Sequence, residues 1–542
     1  MFAIFAAGFI CLPVLVVTAN LFAPAGEVWS HLAATVLPRY VANSFWLMLG
    51  VGATVLALGV GSAWLVTMCD FPGRRHYEWA LLLPFAVPAY VIAYTYTGLL
   101  DYAGSTQTWL REMLGISGTI SWFPEIRSLG GAIVMMGLVL YPYVYMLART
   151  AFHEQSWAAV EVSRTLGCGP WRSFRTISLP LARPSIAAGL ALALMEALND
   201  FGTVQFFGID TFTTGIYRTW LGMDERPAAA QLAALLMLFI FALILLERLS
   251  RGRRRYQHAG SRYRVPPRYR LGRGKALIAA CACGLPFVLG FVVPAAALLV
   301  WTFESAAETV DRRFLTMAIN SFSVAAVTAV LAVILAAIIA YGLRLRQTTP
   351  MLAATRLAGM GYAIPGSVIA VGILIPLAWF DNAVDGWARA NLGVSTGLLL
   401  SGTVFALIFA YLVRFLAISL GAIESGFGRI TPRLDDAARS LGLGQGGVLI
   451  RVLAPLMRGS LLTAGLLVFV DVMKELPATL LVRPFNFETL ATRTYAFAAD
   501  EQLVNASSSA LAIVAVGIIP VILLSRAIGR AHPGAPGEVT LP

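Results

Sequence analysis

Four acids and one lysine in this sequence lie inside apolar stretches, where they could handle a charged solute. Glu196 and Asp200 are four residues apart, a spacing that puts both on one face of a helix. Asp471 and Glu475 repeat that spacing at an offset of 275 (471 − 196), and Lys474 stands where the first copy has Asn199. Ionisable groups this deep in apolar sequence are costly to hold, so they face a cavity or a partner. Carboxylate oxygens are hard donors that suit a hard cation, and a mixture of acids with one lysine suits a weak transit site. Two readings stay open. In one, Asp200 and Glu475 line a pathway, with Glu196 and Asp471 supporting them. In the other, the group is a buried polar network in which Lys474 pairs with Asp471 or a neighbouring carboxylate and locks two halves together.

Little else in the chain is equipped for chemistry. The cysteines are Cys11, Cys69, Cys168, Cys281 and Cys283, and no pair has disulfide or zinc-site spacing. The histidines, His31, His76, His153, His258 and His532, are scattered. There is no Gly-x-x-x-x-Gly-Lys-Ser/Thr phosphate loop, and Gly272-Arg-Gly274-Lys275 is too short and leads into an apolar run. The expectation is a chain that is not an enzyme, has no cofactor of its own and holds no dedicated metal site.

The composition says what positions these groups. Of 542 residues, 58% are hydrophobic and 13% charged, where a soluble chain carries about 25% charged. The mean hydropathy is +0.76. Only a bilayer can bury that much apolar sequence. About twelve runs reach the length a spanning helix needs. They centre near Val14, Leu56, Val87, Leu138, Leu192 and Leu236, then Val292, Ala332, Ile369, Ile408, Leu466 and Val516. The first, Ala3 to Phe22, has no basic residue before it and is expected to be a retained span. The net charge of +12 comes from short basic stretches between runs: Arg74-Arg75, Arg164 to Arg183, Arg248 to Lys275, Arg344 and Arg346, Arg433 to Arg458, Arg526 and Arg530. With twelve spans all of these fall on one side, which places both termini in the cytoplasm. That placement excludes a nucleic-acid surface. The expected fold is all-α and polytopic.

The chain also repeats itself. Asn43-Ser44-Phe45 recurs as Asn320-Ser321-Phe322, at an offset of 277 (320 − 43). Ala86-Val87-Pro88 recurs as Ala363-Ile364-Pro365 at the same offset. Gly167 aligns with Gly442, Pro180 with Pro455, Phe212 with Phe487 and Arg218-Thr219 with Arg493-Thr494, at 275 (442 − 167). The expected organisation is a first half over 1–250, a basic cytoplasmic linker over 251–275 and a second half over 276–542. An even number of spans in each half makes the two six-helix repeats parallel, with a pathway between them.

A long polar loop joins the fourth and fifth spans of each half. The first reads Glu161-Val-Ser-Arg-Thr-Leu-Gly167, then nine residues, then Ile177-Ser-Leu179-Pro180. The second reads Asp436-Ala437-Ala438-Arg-Ser-Leu-Gly442, then Val452-Leu-Ala454-Pro455 after the same gap. Thr431 is a good N-cap, Pro432 suits a first helical position, and the acids suit the helix dipole. Gly167 and Gly442 supply a left-handed stop, and Pro180 and Pro455 are expected to bend the chain. The result is a short amphipathic helix, either a knob for a partner's groove or an interfacial helix on lipid.

These duplicated loops resemble the EAA loop of importer permeases. They depart from it at Val162-Ser163, which replace its alanines, and at Asp436, Val452 and Ala454. The resemblance implies that each loop docks into the cleft of an ATPase subunit. Asp200 to Gly208, Phe212 to Trp220, Met473 to Thr479 and Phe485 to Thr489 look like the fused ferric-iron permeases, over nearly the whole chain. That likeness implies a bacterial inner-membrane permease served by an ATP-binding cassette ATPase dimer, which binds the ATP, and by a periplasmic binding protein. It also implies that the loops holding Arg218 and Arg493 face the binding protein, and a local ion pair is the competing reading for those arginines. Fused thiamine permeases share the architecture, so thiamine or a polyamine stays open as cargo. A gradient-driven secondary carrier needs no docking loops and is the more distant alternative.

Overall fold

The repeated motif Ala86-Val87-Pro88 shows how the sequence shapes the fold. Proline has no N–H to give, and it biases the residue before it towards extended backbone. In the computed structural model a tight turn over Leu83–Ala86 stops there, and helix Ala89–Leu100 starts after Pro88, whose φ and ψ are −61° and 147°. The second copy does the same. A turn over Gly361–Ala363 stops, and helix Gly366–Leu392 starts after Pro365, at −57° and 143°.

The structure describes residues 2–20, 27–154, 165, 169–251 and 268–530. Among these, nine helices are long and apolar enough to cross a membrane, or up to eleven if each of two bent pairs is one span. The bent pairs are Arg74–Ala86 with Ala89–Leu114, at 91°, and Gln445–Leu456 with Arg458–Met473, at 83°. They lie where the third and eleventh spans are expected. Helix Phe2–Asn20 covers the first expected run. The fold is thus all-α and polytopic, and the only strands among the described residues are Cys69–Asp70 paired in parallel with Tyr269–Arg270. Most of the basic 251–275 segment, residues 252–267, lies outside the described residues.

The chain forms two compact units, and each draws on both sequence halves. One contains Met1–Pro38, Phe212–Met237 and Ala307–Ala496. In it helix Phe2–Asn20, from the first half, packs on Thr349–Ala358 and Gly366–Leu392 of the second. The approach is close, since a Cβ on Gly372 would lie 2.4 Å from the Pro13 carbonyl oxygen. The other unit contains Arg39–Thr211, Leu238–Ala306 and Phe497–Pro542. There the long helix Arg273–Thr309 of the second half widens into a π turn at Val288–Val292. Tyr96 donates to the Leu289 carbonyl in that turn, at 2.7 Å.

The asparagines of the first repeated motif do the same work in both halves. Asn43 donates to the Asp210 carbonyl at 2.9 Å, and Asn320 to the Glu488 carbonyl at 3.1 Å. Each bond pins the loop just before a helix, Phe212–Tyr217 or Leu490–Ala499. These helix starts are 278 apart (490 − 212), as are the left-handed residues before them, Gly208 and Asn486. The expected pairing of Phe212 with Phe487 and of Arg218 with Arg493 is therefore out of register. The second half carries three more residues in this loop, so Arg493 matches Gly215 and Arg218 matches Ala496.

Candidate functional site

The apolar run of helix Leu179–Asn199 ends at Asp200, where the backbone turns extended (φ −62°, ψ 134°). One Asp200 carboxylate oxygen accepts from the backbone N–H groups of Thr203, at 2.9 Å, and Val204, at 3.2 Å. The other accepts from the Thr203 hydroxyl at 3.0 Å. The acid thus stands at the end of the spanning helix and caps the short helix Gly202–Phe206 that follows it. Phe206 packs edge-on against Tyr94, with ring centroids 4.7 Å apart. The Arg127 guanidinium lies over the same Phe206 ring, also 4.7 Å from its centre. Glu196, one turn earlier, is half-buried.

The second half builds the same element differently. Helix Arg458–Met473 stops, and the short helix Pro477–Val482 follows, again at the 275 offset (477 − 202). Glu475 Oε1 accepts from the Ala478 N–H at 3.0 Å, so this acid is also a cap. Its Oε2 faces Arg414 Nε at 3.4 Å. Arg414 is 2% exposed and Glu475 5%. The Thr479 hydroxyl donates to the Glu475 carbonyl and shares a hydrogen bond with Tyr411, both at 2.6 Å. Tyr217 donates to the Pro477 carbonyl. Gly366 sits against this group, since a Cβ there would lie 2.5 Å from Glu475 Oε1. Glycine is the residue that fits so close an approach.

Lys474 Nζ pairs with Asp471 at 2.7 Å, and Asp471 is buried. Glu475, expected to line a pathway, is buried, and Arg414 reaches it from helix Val404–Gly428. Among the described residues no three His, Cys, Asp or Glu side chains are grouped to hold a metal ion. The sequence motifs do not point to Arg414. Its signal is a lone base in the tenth apolar run, where the fourth run has Val139 at the matching position (414 − 139 = 275).

The second of the duplicated polar loops forms helix Arg433–Ser440, with Pro432 already in helical conformation. Gly442 takes φ +84°. Its N–H bonds to the Arg439 carbonyl and that of Leu443 to the Ala438 carbonyl, the paired bonds of a Schellman stop. Asp436 and Ala437 are exposed and Ala438 is buried. Asp435 holds the helix in place, accepting from Arg344 Nε and Nη2 at 2.8 and 3.0 Å, while Arg344 also donates to the Phe427 carbonyl. Leu441 beside the stop is 85% exposed. Pro455 precedes the 83° bend, as expected. Pro180 does not bend its chain. Helix Trp171–Asn199 runs unbroken through it, after a π turn at Phe174–Ser178 that makes room ahead of the ring. Glu161 and Gly167 lie outside the described residues.

Arg218 and Arg493 also part company. Arg493 is buried and donates to Asp311 at 3.2 Å and to the Thr309 carbonyl at 2.8 Å, which is the local ion pair. Arg218 is exposed. The Phe314 N–H, at 2.7 Å, and Arg493 hold the Asp311 carboxyl below its ordinary range.

Comparison with known proteins agrees with this architecture. Residues 2–255 match the family described as binding-protein-dependent transport system inner membrane component. The chain is 26% identical over 496 residues to the Fe(3+)-transport system permease protein FbpB 2 of Haemophilus influenzae, covering 90% of each. It is 24% identical to the putative ferric transport system permease protein FbpB 1 of the same organism, over 88% of this chain and 74% of that one. It is 30% identical over 194 residues to the molybdenum transport system permease protein ModB of Escherichia coli, covering 35% of this chain and 82% of that one. This chain belongs to the family of binding-protein-dependent transport system inner membrane components.

Proposed function

We propose that this chain is the membrane permease of an ATP-driven importer for ferric iron. The observation that carries the cargo is the likeness to a ferric permease over 90% of both chains. The molybdenum relative, by contrast, covers only 35% of this one. A periplasmic binding protein delivers the iron, and a separate ATPase dimer docks on the two cytoplasmic loops, which leaves both termini in the cytoplasm. The exposed Leu441 beside a rigidly stopped helix supports that docking, since an apolar side chain on a fixed knob suits a partner's groove. The coupling residues are Glu161, Gly167 and Pro180 in one loop, and Asp436, Ala437, Ala438, Gly442 and Pro455 in the other. Asp200, with Glu196 behind it, is the carboxylate that meets the cation. Arg218 is the outer-face residue for the binding protein.

The test is reconstitution in lipid vesicles with the partner ATPase and binding protein. ATP-dependent accumulation of iron, with none of thiamine, a polyamine or molybdate, is the expected result. Accumulation of another solute overturns the cargo, and uptake driven by an ion gradient without the ATPase overturns the class. Gly442→Val isolates the coupling. Its Cβ meets no neighbour, but φ +84° is strained for a β-branched residue by about 1–2 kcal/mol. Insertion is expected to stay normal while ATPase activity separates from uptake. Unchanged uptake would take Gly442 out of the coupling machinery.

A further inference from the structure

Three helix ends and the side of helix Gly366–Leu392 line a cavity of about 650 Å³, away from both acid turns. Ligand sites span roughly 300–1,000 Å³. Asn20 is the last residue of helix Phe2–Asn20, Arg226 is the first of helix Arg226–Arg251, and Ser401 and Gly402 come just before helix Val404–Gly428. All the lining residues belong to one compact unit. One wall is held by Asp381, which is fully buried. Its carboxylate accepts from the Leu400 N–H at 3.0 Å, the Ser401 N–H at 2.7 Å and the Ser401 hydroxyl. The loop before helix Val404–Gly428 is thereby fastened to helix Gly366–Leu392, and the cavity is preformed.

The lining changes from apolar to polar along its longest wall. Leu374, Ile375 and Ala378 come first on helix Gly366–Leu392, and Asn382 follows. Asn382 stands about 12 Å beyond Leu374 at a rise of about 1.5 Å per residue. Asn20 and Arg226 are polar end residues of apolar helices, where a spanning chain leaves hydrocarbon. Trp220 and Trp379 complete the rim, and tryptophan favours the boundary between membrane and water. The Arg226 guanidinium lies 5.9 Å from the centre of the Trp220 ring. The Asp224 carboxylate stands 3.6 Å from Arg226 Nε, and both side chains are more than half exposed. A cation and an anion thus sit side by side at the mouth of an apolar cavity. That pattern complements a phosphate next to an ammonium, with a hydrocarbon chain below. Among the described residues the lining itself holds no carboxylate, so it does not suit a hard cation. We propose that the cavity binds one phospholipid with a phosphoethanolamine headgroup. Its phosphate meets Arg226, its ammonium meets Asp224, and the start of an acyl chain lies along Leu374, Ile375 and Ala378.

The experiment titrates the purified full chain in detergent with phosphatidylethanolamine, phosphatidylcholine, phosphatidylglycerol or inorganic phosphate, and reads retained ligand by native mass spectrometry. The parent is expected to hold one phosphatidylethanolamine at least about fivefold more tightly than phosphatidylcholine, whose methylated ammonium has no N–H for Asp224. Phosphatidylglycerol, with no ammonium, is expected to bind as weakly as phosphatidylcholine. Arg226→Gln is expected to weaken all three lipids about tenfold, the size of one charge-assisted contact. Asp224→Asn is expected to remove only the preference for phosphatidylethanolamine. Ala378→Phe leaves both charges in place, fills the apolar wall and is expected to weaken all three lipids. The two charge changes lie at exposed positions, so both variants are expected to keep the parent's unfolding midpoint in lipid-free detergent.

Equal retention of phosphatidylethanolamine and phosphatidylcholine by the parent overturns the proposal. So does retention unchanged by Arg226→Gln, or a headgroup preference unchanged by Asp224→Asn. Inorganic phosphate that displaces the lipid at equal concentration makes this a site for free phosphate and overturns it too. A folded Ala378→Phe protein that holds the lipid as the parent does removes the cavity from the account. If that variant fails to insert, Leu398→Phe fills the same cavity from the exposed loop, with the same two readings.

Discussion

The turn at Asp200 and the turn at Glu475 are built to one plan, and each has its own partners: neighbouring backbone N–H groups and a hydroxyl meet the first acid, and an arginine from another helix meets the second. At Asp200 the carboxylate satisfies the start of its own short helix and the surrounding contacts are aromatic. At Glu475 an arginine, two tyrosines and a threonine converge on the same place. Duplication has preserved the backbone device and let its chemistry diverge. A repeat in sequence is therefore good evidence for geometry and weaker evidence for role. Arg493 teaches the same lesson, since it is buried against Asp311 while Arg218 is exposed and out of register with it.

The largest expected effect comes from crowding the second turn. Gly366→Ala places a Cβ 2.5 Å from Glu475 Oε1 and 2.9 Å from the Ala478 nitrogen, and neither can retreat freely. The cost is expected at about 1–3 kcal/mol, read as a lower unfolding midpoint. Ala89→Gly at the matching place in the first half should cost no more than about 1 kcal/mol. Equal costs would erase the distinction between the turns.

A smaller effect separates the two jobs of Asp200. Asp200→Asn keeps an oxygen to accept from Thr203 and Val204, whereas Asp200→Ala removes the cap and is expected to cost about 1 kcal/mol more. Both should lose iron uptake. If the asparagine variant transports normally, the acid is only a cap.

The smallest effect lies in the surface anchor of the unit that holds the first turn. Arg127 donates to both Glu501 oxygens at 2.6 and 2.7 Å and to Asp101 at 3.0 Å, and lies over the Phe206 ring. The hydrogen bond from Arg127 holds the Glu501 carboxyl below its ordinary range. A depressed carboxyl contributes fully above the unfolded value, near about 4.3. The contribution fades as pH falls through the lowered folded value. Arg127→Gln is therefore expected to lower the unfolding midpoint at neutral pH by the equivalent of less than about 1 kcal/mol, since the pair is partly exposed. The difference should vanish in acid. A gap that persists there would assign the effect to packing on Phe206 instead of charge.

Much of this was legible in the residues. Apolar run length marked the spans, and Asn43 with Asn320, or Pro88 with Pro365, marked a repeat that the backbone follows. Gly442 read as a left-handed stop because few other residues tolerate that conformation. Lys474 read as a partner for Asp471 or a neighbouring carboxylate because Asp471 lies only three residues before it. What stayed hidden was long-range. Arg414 meets Glu475 from a separate helix, and Arg344 meets Asp435 at a sequence separation of 91, so no local spacing announces either pair. The packing of helix Phe2–Asn20 on second-half helices was likewise hidden, because lipid-like sequence fits many apolar neighbours. The unbroken course through Pro180 was hidden too, because a π turn absorbs the ring in a way a motif does not record.

The most direct measurement compares ATP-dependent iron uptake by Asp200→Asn and by the parent, in the same vesicles and at matched amounts of folded protein. The expected result is uptake at least about tenfold lower for Asp200→Asn, a loss of about 1.4 kcal/mol or more in the rate-limiting barrier. Uptake at the parent's rate, with the variant folded, would contradict the account.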